Sequence, residues 1–186
     1  LKVISIEIKR LSRIVKSMLN LSRIDNGEIY LNKTSFDLLW IIINVLMSFE
    51  QVIEQKNIKI TGLDSSKSTF IDGDPDMIHQ VIYNLIENAV KFVNVDGFID
   101  MKLCSTGEKA MFSIKNSGEG ISPDDINLIF DKFYKTDKSR SQDKTGLGLG
   151  LYIVKKILRL HGGEIIVKSK ESDFCEFIFY LPIAKV

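Results

Sequence analysis

Cysteine is scarce in this sequence, and neither sign of charge predominates. Two cysteines, Cys104 and Cys175, occur among 186 residues, too few and too far apart for a disulfide framework or a zinc site. We expect both thiols to be buried and reduced, as in a cytosolic domain. Lysine and arginine number 25, aspartate and glutamate 24, and the formal net charge is +1. That balance argues against nucleic acid or an anionic membrane surface as the main partner.

Long hydrophobic runs are also missing. The longest apolar stretch, Leu38 to Met47, has ten residues and is interrupted by Asn44, whereas a membrane-spanning helix needs roughly 20. We therefore expect no direct membrane contact. The sequence has no signal peptide and begins at Leu1 rather than methionine, so we expect it to be part of a longer protein. Its 45% hydrophobic and 26% charged residues are enough for a folded domain with a substantial core.

The first 25 residues show the periodicity of a single helix. Apolar side chains recur at spacings of 3, 4, 3, 4 and 3, the a/d seam of a heptad pattern: Leu1, Ile4, Ile8, Leu11, Val15 and Met18. Asp25-Asn26-Gly27 is suited to end this helix, because glycine accepts a left-handed conformation. The helix could pack on its own domain, but so narrow a seam favours a bundle helix that packs on helices outside this sequence. We predict a bundle helix over residues 1–27, which self-associates through its seam, and a second domain over residues 28–186.

The rest of the chain alternates between helical and extended patterns. Thr34 and Ser35 are hydroxyl N-cap candidates for a long apolar helix over residues 36–56. Asp74-Pro75-Asp76 has the capping acid and first-turn proline of a helix start, and that helix is predicted to end at Phe92. Other helices are predicted at 124–133 and 148–161, strands at 28–33, 58–61 and 69–72, and hairpins at 97–115 and 164–181. These blocks indicate the α+β class, a mixed sheet with helices on one face.

The helix over residues 75–92 carries a polar face beside its apolar one. Gln80, Asn84, Asn88 and Lys91 are spaced by 4, 4 and 3 residues, so they share one side of the helix. Asparagine is a poor helix former, and two on one face need a reason. A solvated face is one reading. The other is a ligand site, because an amide oxygen suits Mg²⁺ and a lysine supplies a point charge for phosphate.

Two segments that contain glycine are candidate ligand loops. Asn116-Ser117-Gly118-Glu119-Gly120 follows a predicted strand, and its glycines permit close backbone approach, although Gly-x-Gly is common in ordinary turns. In residues 145–154 three glycines alternate with leucines between a polar loop and a helix start. Exposed amides at such a start form a phosphate site. The pattern is neither a Walker A loop nor a dinucleotide-binding fingerprint.

Four motifs, in order, resemble those of the catalytic, ATP-binding part of sensor histidine kinases. Residues 80–92 are similar to the family's N box, 116–121 to its G1 box, 129–135 to its F box and 146–151 to its G2 box. Residues 21–28 resemble the end of the second helix of the family's dimerisation and phosphoacceptor domain. The superfamily also includes type II topoisomerases, mismatch-repair ATPases and a heat-shock chaperone. The resemblance implies its Bergerat fold, a two-layer α/β sandwich, here preceded by one bundle helix.

The resemblance also implies roles for residues of the N and G1 boxes, with ATP and Mg²⁺ as the ligands. Asn88 would ligate the Mg²⁺ that bridges the ATP phosphates, and Asn84 would lie beside it. Lys91 would contact phosphate, and Phe92 would lie by the ribose or adenine. The G1 residues implied at the adenine are Asn116, Gly118, Gly120 and Ile121.

The other two motifs would hold the phosphates and the ATP lid. The phosphate cradle would comprise Gly146, Leu147, Gly148, Leu149 and Gly150. A polar loop from Lys135 to Thr145 would be the lid, anchored by Phe130 and Phe133. Lys135 and Arg140 are candidate phosphate contacts, and Arg140 is equally compatible with a solvated loop charge.

The sequence departs from the family pattern at two points. The G1 box usually opens with an aspartate that accepts a hydrogen bond from the adenine amino group, and here Asn116 stands in its place. A neutral acceptor makes a weaker bond than a charged one. The family's phosphoacceptor histidine is also missing, since neither His79 nor His161 lies in that context. We interpret both as structural, His161 as a positively tending residue that suits the end of its helix.

The resemblance implies phosphoryl transfer from ATP to a histidine on a dimerisation helix outside this chain. The partners would be the protein's own dimerisation domain, as a homodimer, and the receiver domain of a response regulator. The chain would be the cytoplasmic portion of a membrane-anchored bacterial sensor. A degenerate kinase and a stand-alone ATPase are the alternatives. Hydrolytic relatives carry a glutamate four residues before the magnesium asparagine, where this chain has Asn84, which favours the kinase.

Overall fold

The computed structural model describes residues 30–64, 66–136 and 147–184. The chain divides into two compact units, Leu1–Leu31 and Asn32–Val186. The bundle helix predicted over residues 1–27 lies outside the described residues and stays a prediction. Every helix and strand described below belongs to the second unit.

Within the described residues, four helices and seven strands follow one another. Numbered along the chain, they are β1 Thr34–Asp37, α1 Leu38–Met47, α2 Glu50–Gln55, β2 Lys59–Thr61, β3 Phe70–Gly73, α3 Pro75–Phe92, β4 Phe98–Thr106, β5 Lys109–Ser117, α4 Gly150–Leu160, β6 Glu164–Lys170 and β7 Phe174–Pro182. None of these helices has both the length and the apolar character for crossing a bilayer.

A five-stranded mixed sheet forms one layer of the fold. Its strand order is β2-β4-β5-β7-β6. β2 pairs in parallel with β4, and the other neighbours are antiparallel. A separate two-stranded sheet pairs β1 with β3, with Thr34 opposite Gly73 and Asp37 opposite Phe70. The predicted mixed sheet and both predicted hairpins are confirmed.

The core lies between one face of the sheet and the helices. Alternate residues of β4 and β5 are buried, as expected for strands with one covered face, among them Ile99, Met101, Phe112 and Ile114. α3 packs against both α1 and α4. The α+β class, with helices layered on a mixed sheet, is confirmed.

α3 begins where the sequence predicts. The Asp74 side chain caps the helix by accepting hydrogen bonds from the backbone N–H groups of Asp76 and Met77, and Pro75 occupies the first turn. The helix ends at Phe92. Its capping chemistry is local to the sequence, which is why it can be predicted so closely.

The prediction for residues 30–56 is wrong in detail. Residues 30–33 form no strand, and Thr34 and Ser35 belong to β1 instead of capping a helix. Asp37 is the N-cap of α1 and accepts a hydrogen bond from Leu39 N–H. The long helix is also broken after Met47, and Phe49 at the break packs on Tyr83 with ring centroids 5.3 Å apart.

The helix predicted over residues 124–133 is wrong. The segment is a succession of turns, in which Leu128 N–H donates to Asp125 and Asp131 N–H donates to Leu128. Ser122 donates its hydroxyl to the Asp125 carboxylate and accepts from Asp125 N–H, so the first turn is closed by side chains. The apolar positions that indicated a helix, such as Ile129 and Phe130, are nevertheless buried.

Candidate functional site

The polar face of α3 meets the start of α4. The Asn84 Nδ2 atom donates to the carbonyl oxygen of Gly150 at 3.3 Å, across 66 residues of sequence. Asn88 lies one turn further along the same face and is half-buried. Its side chain forms no hydrogen bond with the part of the chain that the structure describes, so its amide oxygen is available to a ligand. Lys91 follows in the last turn, with its ammonium 5.1 Å from the centre of the Phe92 ring.

The start of α4 offers backbone donors beside that face. Leu149, the N-cap residue, is buried and makes no side-chain capping bond, so the first helical N–H groups lack a side-chain cap. Gly148 has φ +67°, and a Cβ there would lie 2.5 Å from the carbonyl oxygen of Tyr134. Phe133 N–H donates to Gly148 at 3.1 Å. The last part of the G2 box is therefore fastened to the end of the F box.

The glycines of the G1 box are required by the chain's own backbone. A Cβ at Gly118 would lie 2.4 Å from the carbonyl oxygen of Phe92, and one at Gly120 would lie 2.3 Å from that of Lys170. Gly120 also has φ +65°, a conformation that favours glycine. Ile121 N–H donates to the Ser169 hydroxyl at 2.8 Å. The G1 loop is thus held between the end of α3 and the β6–β7 hairpin.

Asn116 is one of the few buried polar residues among those described, with 4% of its surface exposed. Its Nδ2 atom donates to the carbonyl oxygen of Ser117 at 3.0 Å. This hydrogen bond fixes the orientation of the carboxamide, with Nδ2 toward Ser117 and Oδ1 on the other side. Within the described residues no donor reaches its Oδ1 atom. A buried acceptor without a partner is costly, so this oxygen is suited to accept a hydrogen bond from a ligand.

The two aromatic residues of the F box lie in different surroundings. Phe130 is buried and meets Phe177 edge to face, with centroids 6.3 Å apart. Phe133 is 54% exposed. The backbone of Phe133, rather than its side chain, makes the contact with Gly148. That Phe130 and Phe133 anchor the lid stays a prediction, because residues 137–146 lie outside the described part of the chain. Tyr134 donates its hydroxyl to the Asp125 carboxylate at 2.5 Å.

Only some of the remaining predicted residues of the lid and the G2 box belong to the described part of the chain. Lys135 is half-buried and Leu147 is exposed. Arg140, Thr145 and Gly146 lie outside the described residues, so their roles stay predictions. Gly150 has space around it, since the nearest atom to a Cβ there would be Asn84 Cγ at 3.9 Å.

The two histidines lie in different surroundings. His79 is exposed on α3. His161 is buried, and its Nδ1–H donates to Ile157 while its Nε2 accepts from Asp74 N–H. Burial lowers the pKa of His161, against the opposing effects of the Ile157 hydrogen bond and the Asp74 charge. The expectation that His161 tends to carry a positive charge is wrong, because Nε2 accepts a hydrogen bond only when the imidazole is neutral.

Sequence reasoning missed Lys56. Its Nζ atom donates to the carbonyl oxygens of Val90 at 2.8 Å and Lys91 at 3.1 Å, at the end of α3. Burial lowers the pKa of this lysine. Lys56 follows its own helix and lies 34 residues before Val90 in the sequence. No periodicity or motif links the two positions, so only the folded structure reveals the contact.

The donor set fits a magnesium nucleotide. Among the described residues, no group of three or more histidine, cysteine or carboxylate side chains could hold a metal. Mg²⁺ with a nucleotide commonly takes one or two protein ligands and completes its shell with phosphates and water. The Asn88 amide oxygen can be such a ligand, and the N–H groups at the start of α4 suit phosphate oxygens.

Comparisons with known proteins agree with this geometry. Residues 73–185, well over half of the chain, match the family model described as histidine kinase-, DNA gyrase B- and HSP90-like ATPase. The chain is 33% identical over 182 residues to the sensor protein SrrB of Staphylococcus aureus, covering 98% of this chain and 31% of SrrB. The chain thus spans about a third of that relative's length.

Solved histidine kinases share the fold. ThkA in complex with the response regulator TrrA is 31% identical with a TM-score of 0.77, covering 98% of this chain and 50% of ThkA. Full-length ShkA in complex with AMPPNP is 28% identical with a TM-score of 0.82, covering 95% of this chain and 36% of ShkA. This chain therefore belongs to the histidine kinase-, DNA gyrase B- and HSP90-like ATPase family and carries the catalytic ATPase domain of a sensor histidine kinase.

Proposed function

We propose that this domain transfers the γ-phosphoryl group of ATP to an imidazole nitrogen of a histidine on a dimerisation helix outside these 186 residues. The phosphoryl group then passes to an aspartate of a response regulator. The strongest support is the hydrogen bond from Asn84 on α3 to Gly150 at the start of α4, because it brings the N box and the G2 box together.

The phosphate end of the nucleotide is assigned to α3 and the start of α4. Asn88 offers an amide oxygen to Mg²⁺, which when bound neutralises charge on the phosphates. Lys91 adds a positive charge from the last turn of α3, and the first N–H groups of α4 donate to phosphate oxygens. Phosphoryl transfer depends mainly on such positioning and charge neutralisation.

The base end is assigned to the G1 loop. Asn116 presents a buried oxygen whose orientation is fixed by the bond from Nδ2 to Ser117. That oxygen accepts a hydrogen bond from the exocyclic amino group of adenine. Phe92 contacts the ribose or the ring, and the closeness of its carbonyl to Gly118 of the G1 loop supports this assignment.

The chain's chemistry favours a kinase over a hydrolase. A hydrolase needs a base for water beside the metal site, and the position one turn before Asn88 is Asn84. Glu87 adjoins Asn88 in sequence but is rotated by about 100° around the helix, and its carboxylate accepts from the Tyr83 hydroxyl at 3.4 Å. An imidazole acceptor is itself nucleophilic and needs no strong base.

The partners and location are part of the same proposal. SrrB is a sensor protein, and ThkA was solved in complex with a response regulator. By analogy, this chain acts in a homodimer, beside its own dimerisation domain and a receiver domain, as the cytoplasmic portion of a membrane-anchored sensor.

Phosphoryl transfer in trans tests the proposal. The chain is incubated with γ-labelled ATP, Mg²⁺ and a separate helical hairpin that carries the acceptor histidine of this protein's own dimerisation domain, with a His→Gln hairpin as the control. We expect acid-labile label on the histidine hairpin alone. No label on it would contradict the kinase assignment, and rapid ATP turnover by the chain alone would favour an ATPase.

A further inference from the structure

The end of α3 is where two motifs of the candidate site meet. Lys91 and Phe92 lie in its last turn, and the carbonyl of Phe92 lies against Gly118 of the G1 loop. Val93 then forms an isolated β-bridge with Gly118. The position of this turn therefore determines where Lys91, Phe92 and the G1 loop lie relative to one another.

This end has no glycine cap of its own. Val93, the C-cap residue, is extended, and its N–H donates to Ala89. The last carbonyls of a helix lack partners within the helix. Here the Lys56 ammonium supplies donors to two of them, Val90 at 2.8 Å and Lys91 at 3.1 Å. Its positive charge also faces the negative end of the helix dipole.

Backbone bonds on both sides hold Lys56 in place. Lys56 is the C-cap residue of α2, where its N–H donates to Val52, and its carbonyl accepts from Asp96 N–H. The next residue, Asn57, donates through Nδ2 to the Asp96 carboxylate at 2.7 Å, and Lys59 N–H donates to Gly97. The lysine thus reaches α3 from a turn that is fastened to the loop after α3, so the backbone at Lys56 is already ordered and only its side chain must be fixed to make the contact.

We propose that Lys56 is a positioning residue for nucleotide binding: its ammonium fixes the last turn of α3 and so sets Lys91 and Phe92 against the G1 loop. This inference depends on the proposed function, because it concerns the same nucleotide site. Lys56 itself does not touch the ligand. Its effect passes through the carbonyls of α3.

The test measures the affinity of the whole 186-residue chain for AMPPNP with Mg²⁺ by calorimetry, well below the unfolding temperature. Lys56→Met removes the donors but keeps a chain of similar length, and we expect the dissociation constant to rise about tenfold. Lys56→Arg, which can still donate to both carbonyls, should restore most of the affinity. Lys59→Met, the same change at an exposed lysine three residues away, should leave the affinity unchanged.

Hydrogen exchange without nucleotide separates positioning from general destabilisation. In Lys56→Met we expect faster exchange of the amides of residues 91–93, with α4 unchanged. Equal AMPPNP affinity in Lys56→Met and the unsubstituted chain would overturn the positioning role alone. No AMPPNP binding by the unsubstituted chain would overturn the proposed function, and this inference with it.

Discussion

At the scale of single residues, Asn116 is a neutral side chain at the position where the resemblance to the family's G1 box implies an aspartate. A flipped carboxamide would bring Oδ1 against the Ser117 carbonyl oxygen, two acceptors facing each other, so the hydrogen bond from Nδ2 selects the orientation. The buried oxygen is then presented as a fixed, uncharged acceptor. It gives a weaker bond than a carboxylate would, but it needs no rearrangement to accept one.

Replacement of Asn116 by alanine tests whether that oxygen binds nucleotide. We expect Asn116→Ala to weaken AMPPNP binding by about tenfold, because a donor on the ligand loses its buried partner. Ser113→Ala is the control, since Ser113 is equally buried on β5 but points to the opposite face of the sheet. Equal losses of affinity in both variants by calorimetry would contradict the role of Asn116.

The glycines of the G1 box illustrate where residue-level prediction stops. Their presence correctly indicated a close approach, and the resemblance implied that a ligand was approached. The structure shows that Gly118 and Gly120 lie close to the chain's own carbonyls, at Phe92 and Lys170, and the approach to a ligand stays a prediction. A sequence shows that a glycine has no side chain, but only the fold shows which atoms lie where that side chain would be.

At the scale of elements, α3 and α4 form the frame of the site and run in opposite directions. α4 starts beside Asn84, near the middle of α3, and ends at His161, which binds Asp74 at the start of α3. A Cβ at Gly73 would lie 2.8 Å from the His161 ring. The buried imidazole therefore fixes the position of one helix relative to the other at the end away from the candidate site.

This connection makes stability depend on pH. Burial lowers the pKa of His161 in the folded state below its ordinary 6.5, so the unfolded chain takes up a proton first as the pH falls. Stability is therefore lost as the pH falls below about 6.5 and down through the folded pKa. We expect the melting temperature to drop between pH 7.5 and pH 5.5, and to drop less in His161→Gln, whose amide can both donate and accept.

His79→Gln is the matched control for that melting series. His79 is exposed on α3, so this variant should keep the pH dependence of the unsubstituted chain. If His161→Gln shows the same fall in melting temperature as His79→Gln, His161 is not the group that titrates.

Elements with local causes could be predicted from the sequence, whereas those with distant causes could not. Asp74, Pro75 and Asp76 start α3 through their own chemistry, and the hairpin turn at Gly107 lies between alternating strands. Residues 34–37 become a strand because they pair with residues 70–73. That pairing overrides the helix-capping tendency of Thr34 and Ser35, and no local pattern contains it.

At the scale of the whole molecule, the candidate site and the core of the described residues lie in one compact unit, Asn32–Val186. The four motifs could be recognised from the sequence because they resemble the boxes of sensor histidine kinases in residue type and order. Two tertiary contacts hold these motifs together. Lys56 bonds to Val90 of α3, 34 residues later, and His161 bonds to Asp74, 87 residues earlier. Such contacts leave no trace in periodicity or composition.

This organisation predicts that the second unit folds and binds nucleotide by itself. We expect a polypeptide of residues 32–186 to unfold cooperatively, with a melting temperature close to that of the whole chain and the same AMPPNP affinity. This unit retains the core of the described residues and both helices of the candidate site. Loss of cooperative unfolding by calorimetry, or of AMPPNP binding, would show that residues 1–31 are needed for the fold or the site.

The most direct measurement compares AMPPNP binding with and without Mg²⁺ in the unsubstituted chain and in Asn88→Ala. We predict that Mg²⁺ strengthens binding to the unsubstituted chain, and that Asn88→Ala loses most of this gain, on the order of tenfold, while its melting temperature changes little. His79→Ala, an exposed change on the same helix, should bind as the unsubstituted chain does. Failure of the unsubstituted chain to bind AMPPNP, or an unchanged Mg²⁺ effect in Asn88→Ala, would contradict the assignment of this face of α3 as the nucleotide site.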